Sequence, residues 1–115
     1  MRKLSREDCL GMMERGELGL SVLGAAERVA VVLTQSWCPQ WAWMRSYLEA
    51  MPPDPAREVF WVEYDLEDFF EPFRRFKEEV LGNGEVPYVR YYRKGELVAQ
   101  SNFIDAGGFA RRLEG

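Results

Sequence analysis

The feature that most constrains the fold of this chain is an unbroken apolar run, Val29–Thr34, which is rich in β-branched residues. A half-exposed strand alternates apolar and polar residues, whereas a strand covered on both faces lacks this alternation and is typical of a parallel sheet. The run stops at residues 35–39, Gln-Ser-Trp-Cys-Pro. Proline favours the first turn of a helix, because its missing N–H costs nothing there. The sequence therefore predicts a central parallel strand followed by a helix over Pro39–Met51.

Helices and strands alternate along the rest of the chain. Capping signals, apolar periodicity and glycine or proline stops predict helices over Ser5–Arg15, Phe69–Leu81 and Asp105–Leu113, and strands over Val59–Asp65, Val86–Tyr92 and Glu96–Ser101. Residues 18–23 are ambiguous, with a short strand as one interpretation. Arg93-Lys94-Gly95 predicts a hairpin between the last two strands. Parallel strands joined by helices, with an antiparallel hairpin at one edge, predict a mixed sheet.

The predicted helix Phe69–Leu81 is amphipathic. Its apolar side chains are expected to face the core: Phe69, Phe73, Phe76, Val80 and Leu81. Its charged side chains, Lys77 among them, are expected to lie in solvent.

Composition limits the kinds of function. The 115 residues suit one domain, 1–115, with a single core. A net charge of -4 disfavours a nucleic acid or an anionic membrane as the partner, since both need a basic face. The chain has no histidine, which excludes histidine-based catalytic triads and most catalytic zinc sites, so no metal site is predicted. There is no transmembrane run or signal-peptide pattern, and we expect a protein of the reducing cytoplasm.

Cys38 is the candidate nucleophile. It lies where the buried strand meets the next helix, and the unpaired N–H groups and the dipole of a first helical turn favour a thiolate over a thiol. A thiolate there can attack a disulfide or another soft electrophile. The alternative is that Cys38 is a small buried apolar residue of the core.

Two segments resemble the thioredoxin-like superfamily. Residues 34–41, Thr-Gln-Ser-Trp-Cys-Pro-Gln-Trp, are similar to the segment in which Trp-Cys-x-x-Cys follows the central strand of a thioredoxin. Residues 85–98 resemble the cis-proline segment and the hairpin after it, and Asp105–Leu113 resembles the last helix. The resemblance implies an α/β fold, a thioredoxin-like three-layer α/β/α sandwich with a central mixed sheet of four to five strands.

The resemblance also implies roles for single residues. Cys38 matches the attacking, catalytic cysteine, and Pro87 matches the cis-proline whose loop faces that cysteine. Val86 would offer its backbone to an extended peptide, so the implied partner is a protein or peptide that carries a thiol or a disulfide. The implied substrate-binding residues are Trp37, Pro39, Trp41, Val86 and Pro87. The alternative for Pro87 is an ordinary trans proline that begins an edge strand.

The motif departs from the family at the second cysteine. Trp41 stands there, so no thiol of the motif can release a mixed disulfide from Cys38 by intramolecular attack. Val32 replaces the buried acid that assists the second cysteine in thioredoxins, and a buried carboxylate is costly where it has no use. Cys9 is expected in the core, away from Cys38. Around the site, Trp37 is expected at the surface, and the other aromatic side chains, Trp41, Trp43 and Tyr88, at least half buried.

The Cys-Pro-Gln-Trp segment also resembles glutaredoxins, some of which use one cysteine with glutathione as the second thiol. Glu85 stands where these proteins usually have threonine, and an acid is poorly suited to a glutathione carboxylate. Two main hypotheses remain, and a regulatory thiol that carries a reversible modification is a third option between them. In one, Cys38 carries out single-cysteine thiol–disulfide exchange without a bound cofactor, with glutathione or another low-molecular-weight thiol as co-substrate. In the other, the chain is a redox-inactive module that binds a peptide or protein partner.

Overall fold

A five-stranded mixed sheet forms the centre of the computed structural model, which describes all 115 residues. Its strands are β1 (Arg2–Lys3), β2 (Arg28–Thr34), β3 (Arg57–Glu63), β4 (Tyr88–Arg93) and β5 (Glu96–Ser101), in the order β1-β3-β2-β4-β5. The central strand β2 runs parallel to β3 and antiparallel to β4. The apolar run that predicted a covered central strand is therefore confirmed.

Helices cover both faces of the sheet. They are α1 (Arg6–Arg15), α2 (Leu20–Leu23), α3 (Pro39–Glu49), α4 (Phe70–Glu79) and α5 (Ala106–Glu114), with a 3-10 turn at Tyr64–Leu66. Side chains of α1, α2 and α4 pack in one buried cluster, and side chains of α3 and α5 pack in a second. The result is the three-layer α/β/α sandwich that was expected. None of these helices is long and apolar enough to cross a membrane.

The unbroken run of β2 follows from these two layers. Val29, Val31 and Leu33 belong to the cluster under α1 and α4, whereas Ala30 and Val32 belong to the cluster under α3 and α5. All five are 0% exposed. Because both faces are covered, the interior of the strand is apolar on both faces, and the buried hydroxyl of Thr34 at its end has no hydrogen-bond partner.

The structure corrects several details of the predicted elements, among them the strand predicted over Val86–Tyr92, which begins at Tyr88. Residues 18–23 form no strand, because the carbonyl of Gly19 accepts hydrogen bonds from the N–H groups of Val22 and Leu23 and the chain turns into α2. β1 was missed, since two charged residues carry no periodicity. Helix α4 ends at Glu79, so Val80 leaves the apolar face and is 63% exposed.

Candidate functional site

Cys38 lies at the junction predicted for it, in the loop between β2 and α3. It occupies the N-cap position of α3, with extended backbone angles, and Pro39 follows in the first turn. Its Sγ atom donates to the carbonyl oxygen of Val86 at 3.7 Å. The residue is only 4% exposed, while Pro39 is exposed. The cysteine therefore faces the loop before β4 and presents little of its surface to solvent.

The Val86–Pro87 loop is the opposite wall of the site. The peptide bond between the two residues is cis. Val86 is half-buried and Pro87 is buried. The carbonyl of Val86 faces Cys38, and its N–H donates to no backbone group of the chain. An unpaired backbone N–H beside the cysteine is a donor that an extended peptide could use.

A buried lysine holds this loop from beneath, and its burial corrects the sequence prediction. Lys77 of α4, expected in solvent, is 1% exposed. Its Nζ atom donates to the carbonyl oxygens of Asn83 at 2.8 Å and Glu85 at 2.6 Å, and lies 5.6 Å from the centre of the Tyr88 ring. Burial lowers the pKa of the Lys77 amine to about 8. The charge is tolerated because loop carbonyls and an aromatic face replace its water.

Two asparagines hold the same loop from the side. The amides of Asn83 and Asn102 form a reciprocal pair, with distances of 3.1 and 3.0 Å. The Nδ2 atom of Asn102 also donates to the carbonyl oxygen of Pro87 at 3.0 Å. With Lys77, these contacts fix the residues on both sides of Val86. The position of the loop opposite Cys38 is therefore set by α4 and by the turn after β5.

The loop before Cys38 is held by the 3-10 turn that follows β3. The backbone N–H and the hydroxyl of Ser36 both donate to the carboxylate of Asp65, at 2.7 and 2.6 Å. Trp37 donates its indole N–H to Gln35 at 2.6 Å, and its ring is 65% exposed. Trp37 lies at the surface as expected and forms an apolar rim next to the cysteine.

Trp41 fills the space where the second cysteine of the motif would stand. It is 1% exposed and packs in the same buried cluster as Val32 and Cys38. Its indole N–H donates to the carboxylate of Glu63 at 2.9 Å, and its ring lies 6.3 Å from that of Trp61. An indole with a satisfied donor is a stable filling for this position. It offers no thiol to Cys38.

No protein-family model and no curated protein sequence matches this chain. Solved structures do match it. Mitochondrial thioredoxin 3 from Saccharomyces cerevisiae in its oxidized form aligns at a TM-score of 0.68 and 11% identity, covering 99% of this chain and 93% of that one. Thioredoxin O1 from Arabidopsis thaliana aligns at 0.67 and 15%, covering 98% and 94%. Fasciola hepatica thioredoxin aligns at 0.67 and 16%, covering 99% and 97%. The chain has a thioredoxin fold.

The other cysteine of the chain, Cys9, lies on the opposite side of the sheet from Cys38. Cys9 of α1 is 0% exposed and packs in the cluster under α1 and α4, whereas Cys38 packs in the other cluster. Both cysteines are free. Burial raises the pKa of the Cys9 thiol to about 12. With the sheet between the two thiols, Cys9 is placed in the core as expected and cannot resolve a disulfide on Cys38.

Sequence reasoning placed one aromatic residue wrongly and missed three polar ones. Trp43 was expected to be at least half buried but is 53% exposed, because α3 turns Trp41, Met44 and Leu48 inward instead. Tyr88 is buried as expected. Lys77, Asn83 and Asn102 carried no signal as loop-holding residues, since their partners are backbone carbonyls and amides from other elements.

Proposed function

We propose that this thioredoxin-fold chain carries out single-cysteine thiol–disulfide exchange on a protein or peptide partner. The observation that carries the proposal is the placement of Cys38 at the start of α3, with its Sγ atom 3.7 Å from the carbonyl of Val86 in the cis-proline loop. The first-turn N–H groups favour a thiolate at this position. Val86 offers a backbone N–H, and Trp37 offers an apolar rim for the partner.

The exchange needs two attacking thiols, of which the chain supplies one. The Cys38 thiolate attacks one sulfur of a partner disulfide, a new S–S bond forms to Cys38, and the other sulfur leaves as a thiolate. An external thiolate then attacks the partner's sulfur in the mixed disulfide, forms a new disulfide with it and releases Cys38 as a thiolate. We assign this second thiol to glutathione or another low-molecular-weight thiol of the cytoplasm, because Trp41 and the position of Cys9 leave no internal one.

A redox-inactive peptide-binding module is the second candidate, and one observation favours it. Cys38 is 4% exposed, so a disulfide can reach its sulfur only after a small movement of the Val86–Pro87 loop or of Trp37. In this alternative the same loop and rim hold a partner without covalent chemistry.

Turnover of a small disulfide tests the proposal. We expect a Cys9→Ser variant, in which Cys38 is the only thiol, to reduce 2-hydroxyethyl disulfide with added glutathione, and we expect Cys38→Ser to lose this activity. Cys38→Ser is a matched control, because it replaces only the sulfur atom with oxygen. If both variants give the uncatalysed rate while still binding peptide, the binding module is the function.

A further inference from the structure

Two large aromatic side chains, Trp43 and Phe103, pack against each other at the surface instead of in the core. Their ring centres are 5.3 Å apart, and the side chains are 53% and 42% exposed. Trp43 also contacts the edge of Tyr47, with ring centres 5.9 Å apart. Exposed aromatic clusters of this kind mark interaction surfaces, and tryptophan is enriched among residues that dominate binding energy.

An open groove of about 620 Å³ extends from this aromatic pair along the start of α5. Polar residues of β5 and the following turn form its floor, and Arg111 and Arg112 form its other end. We call this surface the aromatic–arginine groove. It is defined by Trp43, Phe103, Ser101, Asn102, Arg111 and Arg112.

Arginine side chains outnumber carboxylates in the groove, although the chain has a net charge of -4: Arg111 and Arg112 line it, and Asp105 is its one acidic lining residue. Arg111 and Arg112 are exposed, and neither forms an ion pair. Neither of the nearby carboxylates forms an ion pair with them: Asp105 accepts from the N–H of Gly108 as the N-cap of α5, and Glu114 pairs with Arg28 and Arg57. The guanidinium of Arg112 makes one long hydrogen bond, to the carbonyl oxygen of Gly108 at 3.5 Å. Two guanidinium groups without a carboxylate partner, beside aromatic rings, suit a ligand that has both carboxylates and an apolar side chain.

The turn after β5, which lines the groove, is held in place before any ligand arrives. Tyr47 donates its hydroxyl to the carbonyl of Ile104 at 2.8 Å, which ties the turn after β5 to α3. Asn102, in the same turn, is bonded to Asn83 and to the carbonyl of Pro87. A surface held in this way loses little conformational entropy on binding. The hydrogen bond from Asn102 to Pro87 also makes the groove continuous with the loop opposite Cys38.

We propose that the aromatic–arginine groove binds an acidic peptide segment that carries an aromatic side chain. The aromatic side chain packs on Trp43 and Phe103, and the carboxylates pair with Arg111 and Arg112. The segment belongs to the partner whose backbone lies along Val86, so in this respect the inference rests on the proposed function. The groove selects partners by their side chains, whereas the site at Cys38 contacts only the partner's backbone and its disulfide.

Peptide binding in the Cys38→Ser variant tests the groove without any covalent step. The probe is a fluorescein-labelled Gly-Phe-Gly-Glu-Glu-Gly peptide, followed by anisotropy in low salt. We expect it to bind about tenfold more tightly than analogues with glutamine for glutamate or alanine for phenylalanine, because each analogue removes one of the two contacts. Equal affinity for the three peptides overturns the proposal.

Charge reversal locates the binding on the chain. We expect Arg111→Glu with Arg112→Glu to weaken binding about tenfold or more, since attraction becomes repulsion. Arg15→Glu with Arg75→Glu is the control, because it changes the net charge equally at two other exposed arginines without ion pairs. Trp43→Ala should also weaken binding, and Leu66→Ala, another exposed apolar truncation, should not. Equal effects of the two charge reversals overturn the proposal.

The two proposals fail separately. With dithiothreitol in place of glutathione, reduction of 2-hydroxyethyl disulfide involves no peptide and no carboxylate, so it should be unchanged in the Arg111→Glu, Arg112→Glu variant. If this turnover is absent while the acidic peptide binds in the groove, the exchange function is wrong and the groove stands. If turnover is present and the peptide does not bind, the groove is wrong and the exchange function stands.

Discussion

At the scale of single residues, Trp41 is the substitution that separates this chain from a two-cysteine exchange protein. Its side chain is packed in the core, with its N–H hydrogen-bonded to Glu63 and its ring beside Trp61. Sequence reasoning recognised the substitution, because it depends on one position of a motif. It could not show the partner of the indole N–H, since Glu63 lies on another element.

Restoring the second thiol tests this role of Trp41. We expect Trp41→Cys to form an internal disulfide with Cys38 on oxidation and to turn over without a resolving external thiol. The same change should lower the free energy of unfolding by about 3–5 kcal/mol, because it leaves a cavity and removes the indole donor from Glu63, whose carboxylate keeps only its longer contact with Arg45 at 3.5 Å. Urea denaturation measures the loss of stability, and thiol titration after oxidation counts the free cysteines.

A control, Trp41→Phe, should lose stability without forming a disulfide. Two free thiols in oxidised Trp41→Cys would show that the two positions do not meet.

At the scale of elements, the sequence predicted best where a signal is local. Ser5 and Asp8 form the capping box expected for α1, with both hydrogen bonds at 3.0 Å. Lys94 and Gly95 adopt the left-handed backbone that the predicted hairpin turn requires. α2 was misassigned because it is a single turn of local hydrogen bonds with no apolar periodicity to mark it, and β1 was missed because it is defined by its pairing with the distant strand β3.

Removal of the Ser5 cap measures how much one local interaction contributes to the free energy of unfolding. We expect Ser5→Ala to lower the free energy of unfolding by about 1 kcal/mol, since one first-turn N–H of α1 loses its acceptor. Ser46→Ala is the control, because Ser46 is exposed in the middle of α3. Urea denaturation of the three proteins measures the difference. A loss in Ser46→Ala as large as that in Ser5→Ala would contradict a capping role.

At the scale of the whole molecule, the sheet separates two buried titratable groups from the candidate nucleophile. Lys77 and Cys9 belong to the α1 and α4 side, and Cys38 belongs to the α3 and α5 side. The resemblance to thioredoxins predicted this architecture, since it covers most of the chain. The buried charge of Lys77 could not be predicted, because its helix position fits a solvated face equally well.

The Lys77 amine predicts how stability depends on pH. Its pKa is about 8 in the folded chain, below the ordinary value of 10.5, so between these values the unfolded chain binds more protons and stability rises with pH. Cys9 acts in the opposite direction above pH 9, because its folded pKa is raised to about 12. We expect the wild type to gain stability from pH 8 to 9, and Lys77→Met to lose that gain. Urea denaturation at each pH measures it, and parallel pH profiles for the two proteins would contradict the assignment.

The central claim, that Cys38 is a nucleophile whose mixed disulfide has no internal resolving thiol, is tested most directly by mass spectrometry of the intact chain with glutathione disulfide. The account predicts that the wild type takes up one glutathionyl group, located at Cys38 by peptide mapping. This adduct should persist after the free reagent is removed and disappear when a fresh thiol is added. The account is contradicted if no adduct forms, or if it decays without added thiol to leave a disulfide between Cys9 and Cys38.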